Sequence, residues 1–195
     1  MLTFLGYTLT FLALLVSTYL VLRPEASAEP LVRTTSMVAQ TAPFLLLVSA
    51  FLIEATTLEL VSRFVGDDLP LSYRISAVWG SRSGPLLMWA SMMGVITWMM
   101  SRDQRIDTTT IRIMHSWTAI LLLVASALRP FSPADSGSSG EISPLLQTDL
   151  MVIHPPVVFV YYSLCLATAS IALYKLHRAI PSEEKQNSKI RWARY

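Results

Sequence analysis

The chain is poor in charged residues and in cysteine, and each scarcity excludes a class of protein. Of its 195 residues, 14% are charged and 53% are hydrophobic, whereas soluble domains carry about 25% charged residues. The single Cys165 excludes an internal disulfide and a cysteine-based zinc site. A formal net charge of +2 is too small to indicate nucleic acid as a partner. Composition therefore favours a membrane protein.

The hydrophobic residues are gathered into five blocks, which are Leu2–Val21, Met37–Ile53, Leu86–Met100, Ile113–Leu128 and Val157–Tyr174. A spanning helix needs about 20 residues, and the first and fifth blocks come near that length. The third and fourth reach it only if interfacial tryptophans extend them. Because unpaired backbone cannot face lipid, we predict an all-α integral membrane bundle of about five transmembrane helices.

The distribution of basic residues orients this bundle. With five spans, one side receives four of the 15 Lys and Arg residues, which are Arg63, Arg74, Arg82 and Arg129. The other side receives the remaining eleven, including a basic tail at residues 179–195. Basic residues favour the cytoplasm-like side. The N-terminus is therefore predicted outside and the C-terminus inside.

The connection between the second and third blocks, residues 54–82, should lie along the outer surface. Leu58, Val61 and Phe64 recur at helical spacing, which predicts a surface-lying helix. Farther on, residues 71–79 alternate as in an extended segment, yet Ile75, Val78 and Trp79 also fit one face of a helix. Both interpretations stay open here.

His154 is the most informative residue of the chain. It precedes Pro155 and Pro156 at the start of the last block, and prolines suit the first turn of a helix. We therefore predict that His154 is held at the entrance of the fifth helix, on the outer face, where it could bind a metal ion. The alternative is a polar residue tolerated near water.

The other candidate residues carry weaker signals. His115 could bind a metal inside the bundle, although a hydrogen-bonding role is the better prediction. His177 lies near the basic tail and is expected to be solvated. Arg74 and Arg82 are surface charges by default, and they could also pair with carboxylates of a ligand.

Three segments together resemble the cytochrome c maturation protein CcmF. Residues 71–89 resemble its YR-x-x-x-x-WG…EGS-LL-W stretch, through Tyr73, Arg74, Trp79, Gly80 and Trp89. Residues 129–132 resemble its NPF element. Residues 144–162, PLLQ through His154-Pro155-Pro156 to Tyr162, resemble its NPLLQ…HPP motif. The order and spacing match over roughly residues 40 to 165.

The resemblance implies a protein that handles haem. In that family the HPP histidine is one of two outward-facing histidines that ligate haem beside a tryptophan-rich WWD segment. Carried over, His154 would be an axial ligand of the haem iron, with Pro155 and Pro156 shaping its surroundings. Trp79 would contribute to the wall of the site, and Arg74 or Arg82 would lie near the haem propionates. A neutral imidazole is a good ligand for haem iron.

Departures from the family pattern matter as much. Ser83 stands where the family has Glu, Pro85 where it has Ser, Phe159 where it has Tyr, and Tyr161 where it has Gly. The 195 residues contain no WWD segment and no second outer histidine. We expect a separate partner chain to supply these, beside a haem chaperone and apocytochrome c. Split genes of this kind favour the mitochondrial inner membrane over a prokaryotic plasma membrane.

Residues 1–178 are thus predicted to form the transmembrane N-terminal domain of a cytochrome c haem lyase, followed by the inner-side tail. The chain would present haem for thioether attachment to apocytochrome c. It would not be an enzyme by itself, because no general acid or base is identifiable. One alternative is a structural membrane subunit of a respiratory or assembly complex with no haem ligand of its own. A transporter is disfavoured, since the blocks place few polar residues near the bilayer midplane.

Overall fold

A computed structural model describes residues 1–64, 70–135 and 148–179. Within these ranges the chain contains helices and no β-strands. The helices are α1 (Leu2–Leu22), α2 (Pro30–Leu52), α3 (Glu59–Phe64), α4 (Leu71–Ala77), α5 (Ser83–Met100), α6 (Thr108–Ala127) and α7 (Asp149–Ala179). Short 3₁₀ turns occupy Pro24–Ala28 and Val78–Gly80. The basic tail, except Ala179, lies outside the described residues.

Four helices, α1, α2, α6 and α7, are long and apolar enough to cross a membrane. The prediction of an all-α integral membrane bundle is therefore confirmed. The third block forms α5, which has 18 residues, nine of them buried, and packs against α2, α6 and α7. Because α5 faces other helices more than lipid, it can include small polar residues such as Ser91 and Thr97.

Small residues allow the helices to approach one another closely. A Cβ added to Gly94 on α5 would lie 2.8 Å from Oε1 of Gln40 on α2. Gly6 on α1 receives the ring of Phe131, which is fully buried. Phe131 belongs to the segment that resembles the NPF element. That element therefore packs the chain that follows α6 against α1.

The connections alternate between two ends of the bundle, as the five blocks predict. At one end, here called the basic end, Arg33 donates from Nη1 to the carbonyl oxygen of Ser101, 3.1 Å away. The carboxylate of Asp107, just before α6, lies near Tyr174 toward the end of α7. At the opposite end, here called the histidine end, lie α3, α4, the start of α5, the end of α6 and His154.

The connection between α2 and α5 is helical at both places that the sequence singled out. Leu58 and Val61 are fully buried, so α3 packs onto the bundle through this face. Residues Leu71–Ala77 form α4 and continue into the 3₁₀ turn, which excludes the extended alternative. Val78 and Trp79, two of the three residues on the predicted helix face, are buried, and burial of this face explains why the helical pattern prevails.

Candidate functional site at the histidine end

The prediction that His154 stands at the entrance of its helix is wrong. Helix α7 begins at Asp149, five residues earlier, and Pro155 and Pro156 lie inside it. Asp149 in the first turn interacts favourably with the positive end of the helix dipole. His154 is exposed in the second turn, as are its neighbours Ile153 and Val157. The imidazole thus projects from an apolar helix surface.

The two prolines disturb the backbone hydrogen bonds of α7. Proline has no N–H, so Pro155 cannot donate to the carbonyl of Met151 four residues before it. The indole Nε1 of Trp79 instead donates to the Met151 carbonyl oxygen, at 2.6 Å. Trp79 is only 9% exposed. Trp79, from the WG segment, therefore donates to the carbonyl that Pro155, from the HPP segment, leaves without a backbone donor.

A second contact ties α4 to the start of α7. The hydroxyl of Tyr73 donates to Oδ1 of Asp149, 3.2 Å away. Partial desolvation of the phenol, the negative charge of Asp149 and this hydrogen bond all raise the pKa of Tyr73. The neutral phenol, which can donate, is therefore the form that the site favours.

Arg74 is held against the end of α2. Its guanidinium forms an ion pair with Glu54, a residue with a positive φ of 52° just beyond α2. The side chain of Arg74 is 27% exposed. The ion pair holds α4 in place beside α2, so the three residues Tyr73, Arg74 and Trp79 each link the connecting segment to a long helix.

Arg82 lies elsewhere on the histidine end. It precedes α5 and lines an open pocket of about 560 Å³ between α3, the start of α5 and the end of α6. Arg63 and Arg129 line the same pocket. Arg63 pairs with Glu59 at 2.7 Å. The pocket therefore has a positive balance of charge, which suits an anionic group.

Aromatic side chains also connect α5 with α7, farther along α7 than His154. The ring of Trp89 on α5 lies 5.8 Å from that of Phe159 and 5.7 Å from that of Tyr162, both on α7. Phe159 and Tyr162 pack edge to face. Phe159, a departure from the family pattern, thus fills a packing position on α7 next to α5.

His115 has the hydrogen-bonding role that the sequence predicted. It is 2% exposed on α6. Its Nδ1 lies 3.2 Å from Nε2 of Gln40, and its Nε2 lies 3.3 Å from Oγ of Ser27. Gln40 also donates to Oγ of Ser17. With the Gln40 amide in this orientation, its N–H donates to Nδ1, and the proton of the neutral ring is then on Nε2.

Sequence reasoning missed the residues around His115. The available signal was a glutamine and serines inside otherwise apolar blocks, because polar side chains in a membrane helix usually face one another. Within the described ranges, no group of three or more His, Cys, Asp or Glu residues could hold a metal ion.

These features define the class of protein. It is an integral membrane helical bundle that carries an exposed histidine at one end, supported by a buried tryptophan from the preceding connection.

Comparison with known proteins identifies the family. The model of the cytochrome C assembly protein family matches residues 79–194, so the chain belongs to that family. The cytochrome c-type biogenesis protein CcmF of Escherichia coli is 30% identical over 128 residues, which is 61% of this chain and 20% of the relative. CcmF of Pseudomonas aeruginosa is 31% identical over 136 residues, 64% of this chain and 21% of the relative. The predicted resemblance to CcmF is confirmed.

A probable biogenesis protein, NrfE of Escherichia coli, is 28% identical over 145 residues, 69% of this chain and 26% of the relative. The chain thus spans about a fifth to a quarter of the length of these relatives. No solved structure gives a significant match.

Proposed function

We propose that this chain is part of a membrane cytochrome c haem lyase and presents haem through His154. The observation that carries the proposal is the exposure of the imidazole on an apolar helix surface at the histidine end. Haem is a flat, largely apolar group whose iron takes imidazole ligands, so this surface fits it. Membership of the cytochrome c assembly family and the names of its CcmF relatives point the same way.

Each residue of the site would have a distinct task. His154 would hold the haem by its iron, and bound haem would supply the vinyl groups to which cysteine thiols of apocytochrome c add. Pro155 and Pro156 shape the turn beside the imidazole. Trp79 supports that turn through Met151. Holding haem and apocytochrome together makes their reaction effectively unimolecular.

Arg82 is the better of the two candidate arginines for the haem propionates. Arg74 already pairs with Glu54, whereas Arg82 lines the pocket with Arg63 and Arg129. A carboxylate entering that pocket would meet a positive balance of charge. We therefore assign the propionate interaction to Arg82 and a structural role to Arg74.

The chain would work with partners. The relatives are four to five times longer than their aligned parts, and a lyase of this kind needs a second histidine for the opposite face of the haem. We propose that a separate chain supplies that histidine and the WWD segment, while a haem chaperone delivers haem. The distribution of basic residues would place the histidine end on the outer side of the membrane. We propose the mitochondrial inner membrane in preference to a prokaryotic plasma membrane.

The test is co-purification of the chain with its membrane partners, followed by absorption spectra of wild type, His154→Ala and His177→Ala. His177 is an exposed histidine at the opposite end of the same helix, so it is a matched control. We expect the haem spectrum to shift or disappear in His154→Ala only. An unchanged spectrum would refute the proposal and leave the structural-subunit alternative.

A further inference from the structure

The hydrogen bond between Trp79 and Met151 joins the 3₁₀ turn before α5 to the part of α7 that carries His154. We propose that Trp79 is a positioning residue for His154, because its indole N–H replaces the backbone N–H that Pro155 lacks. The haem aspect of this inference rests on the proposed function above. The structural aspect does not depend on haem.

The geometry supports replacement rather than coincidence. In an α-helix the residue at position 155 would donate to the carbonyl of Met151, and proline cannot. Trp79 Nε1 donates to that same carbonyl oxygen at 2.6 Å, slightly shorter than the usual N–H···O distance. The bond is partly buried, and a carbonyl shielded from water is costly without a donor, so the Trp79 indole stabilises a helix turn that contains two prolines.

His154 lies between Met151, whose carbonyl accepts the bond, and Pro155, which lacks the N–H. Met151 is three residues before it and Pro155 directly follows it, so all three belong to one turn of α7. The direction of that turn determines where the exposed imidazole points. By bonding Met151 from outside the helix, Trp79 fixes the turn and therefore the imidazole.

Trp79 can act in this way because its own position is rigid. It lies in the 3₁₀ turn Val78–Gly80, whose Val78 carbonyl packs so closely on Gly84 that no Cβ would fit there. The backbone N–H of Gly84 donates to Oγ of Ser81 at 3.1 Å. The turn is thus fastened to the start of α5, and the Tyr73–Asp149 hydrogen bond restrains α7 one turn earlier.

A double-mutant cycle tests the structural aspect. Trp79→Phe keeps an aromatic ring and removes the donor, whereas Pro155→Ala restores the N–H that serves Met151. We expect Trp79→Phe to shift the unfolding equilibrium in detergent by about fivefold or more, and to have a clearly smaller effect in the Pro155→Ala background. Pro156→Ala is the matched control, because its N–H would serve Val152 and should not rescue.

The positioning aspect needs a readout that loss of stability would not move. The rate at which diethyl pyrocarbonate modifies His154, measured by mass spectrometry relative to His177 in the same folded sample, reports the surroundings of the imidazole without haem. We expect Trp79→Phe to change the rate at His154 only, and Pro155→Ala to restore it. In the co-purified complex, the haem spectrum should likewise change in Trp79→Phe and be restored when Pro155→Ala is added.

Two results would overturn the inference. Equal effects of Trp79→Phe in the wild-type and Pro155→Ala backgrounds would show that the indole does not replace the missing N–H. An unchanged rate at His154 would show that the bond does not position the imidazole. By contrast, an unchanged haem spectrum in His154→Ala would refute the proposed function alone.

Discussion

Two histidines of this chain occupy opposite environments. His115 is buried inside the bundle, and both of its ring nitrogens lie within hydrogen-bonding distance of neighbouring side chains. His154 is exposed at one end of the bundle, and its ring forms no hydrogen bond among the described residues. An imidazole whose nitrogens are both engaged holds helices together, whereas one with a free nitrogen can bind an external group. The surroundings of each histidine, more than its residue type, therefore distinguish the structural role of His115 from the candidate functional role of His154.

Replacing each histidine in turn tests this difference and should give the largest effects. We expect His115→Ala to lower the free energy of unfolding by about 2–3 kcal/mol, because it leaves a cavity, an unpaired N–H of Gln40 and an unpaired hydroxyl oxygen of Ser27. His154→Ala should change it by less than about 0.5 kcal/mol, as is usual for an exposed side chain. Detergent-denaturation curves followed by helical circular dichroism would measure both. A larger loss in His154→Ala would contradict the division of roles.

His115→Gln provides the control for that experiment. Glutamine keeps one donor and one acceptor, so this variant should recover part of the stability lost in His115→Ala. No recovery would indicate that the volume of the ring matters more than its hydrogen bonds.

A smaller effect is expected from Gly94→Ala, which crowds the His115 network without touching the histidine. The added Cβ would lie 2.8 Å from Oε1 of Gln40, so Gln40 must move away from His115 or α5 must shift. We expect a loss of about 1–2 kcal/mol in the free energy of unfolding. The same denaturation assay measures it, and Gly80→Ala, where neighbouring atoms are 3.4 Å away, should cost less.

The smallest effects are expected from pH, and they differ in direction at the two ends. At the basic end, the backbone N–H of Thr109, followed by weaker contributions from Tyr174 and Arg178, lowers the pKa of Asp107. A lowered folded-state pKa gives stability that is present above the unfolded-state pKa and is lost as pH falls through the folded value. The acid limb of the stability curve should therefore flatten in Asp107→Ala. This variant should lose at most about 1 kcal/mol at neutral pH, since Asp107 caps α6.

At the histidine end the sign is reversed. The pKa of Tyr73 is raised, so its contribution is complete below the unfolded-state pKa and is lost as pH rises through the folded value. Tyr73→Phe should remove part of the alkaline limb of the stability curve and leave the acid limb intact. If the two variants affect the same limb, the attribution of the acid effect to Asp107 and of the alkaline effect to Tyr73 is wrong.

Much of the fold could be predicted from the residues. Each of the five hydrophobic blocks forms most of one long helix, and the grouping of connections at two ends follows from the number of helices. Helix starts were less predictable. Helix α2 begins at Pro30, seven residues before its apolar block, and α7 begins eight residues before its block. Hydropathy marks where a helix meets lipid, whereas its actual start depends on caps and on packing outside the lipid.

The site could be predicted only in part. The HPP motif pointed to His154, and the WG motif pointed to Trp79. Their connection through Met151 joins residues 72 positions apart, and no local pattern reveals such a contact. The same is true of Gln40 and His115, whose side chains meet across two helices.

The sequence by itself determined the membrane location, the helical class and the family, because these depend on hydrophobic blocks about 20 residues long and on motifs of local spacing. Only the tertiary structure decided which polar groups meet. Most buried donors and acceptors in native proteins are paired, and in this chain several of the partners come from distant segments. The Trp79 indole on the Met151 carbonyl, beside the exposed imidazole of His154, is such a pairing.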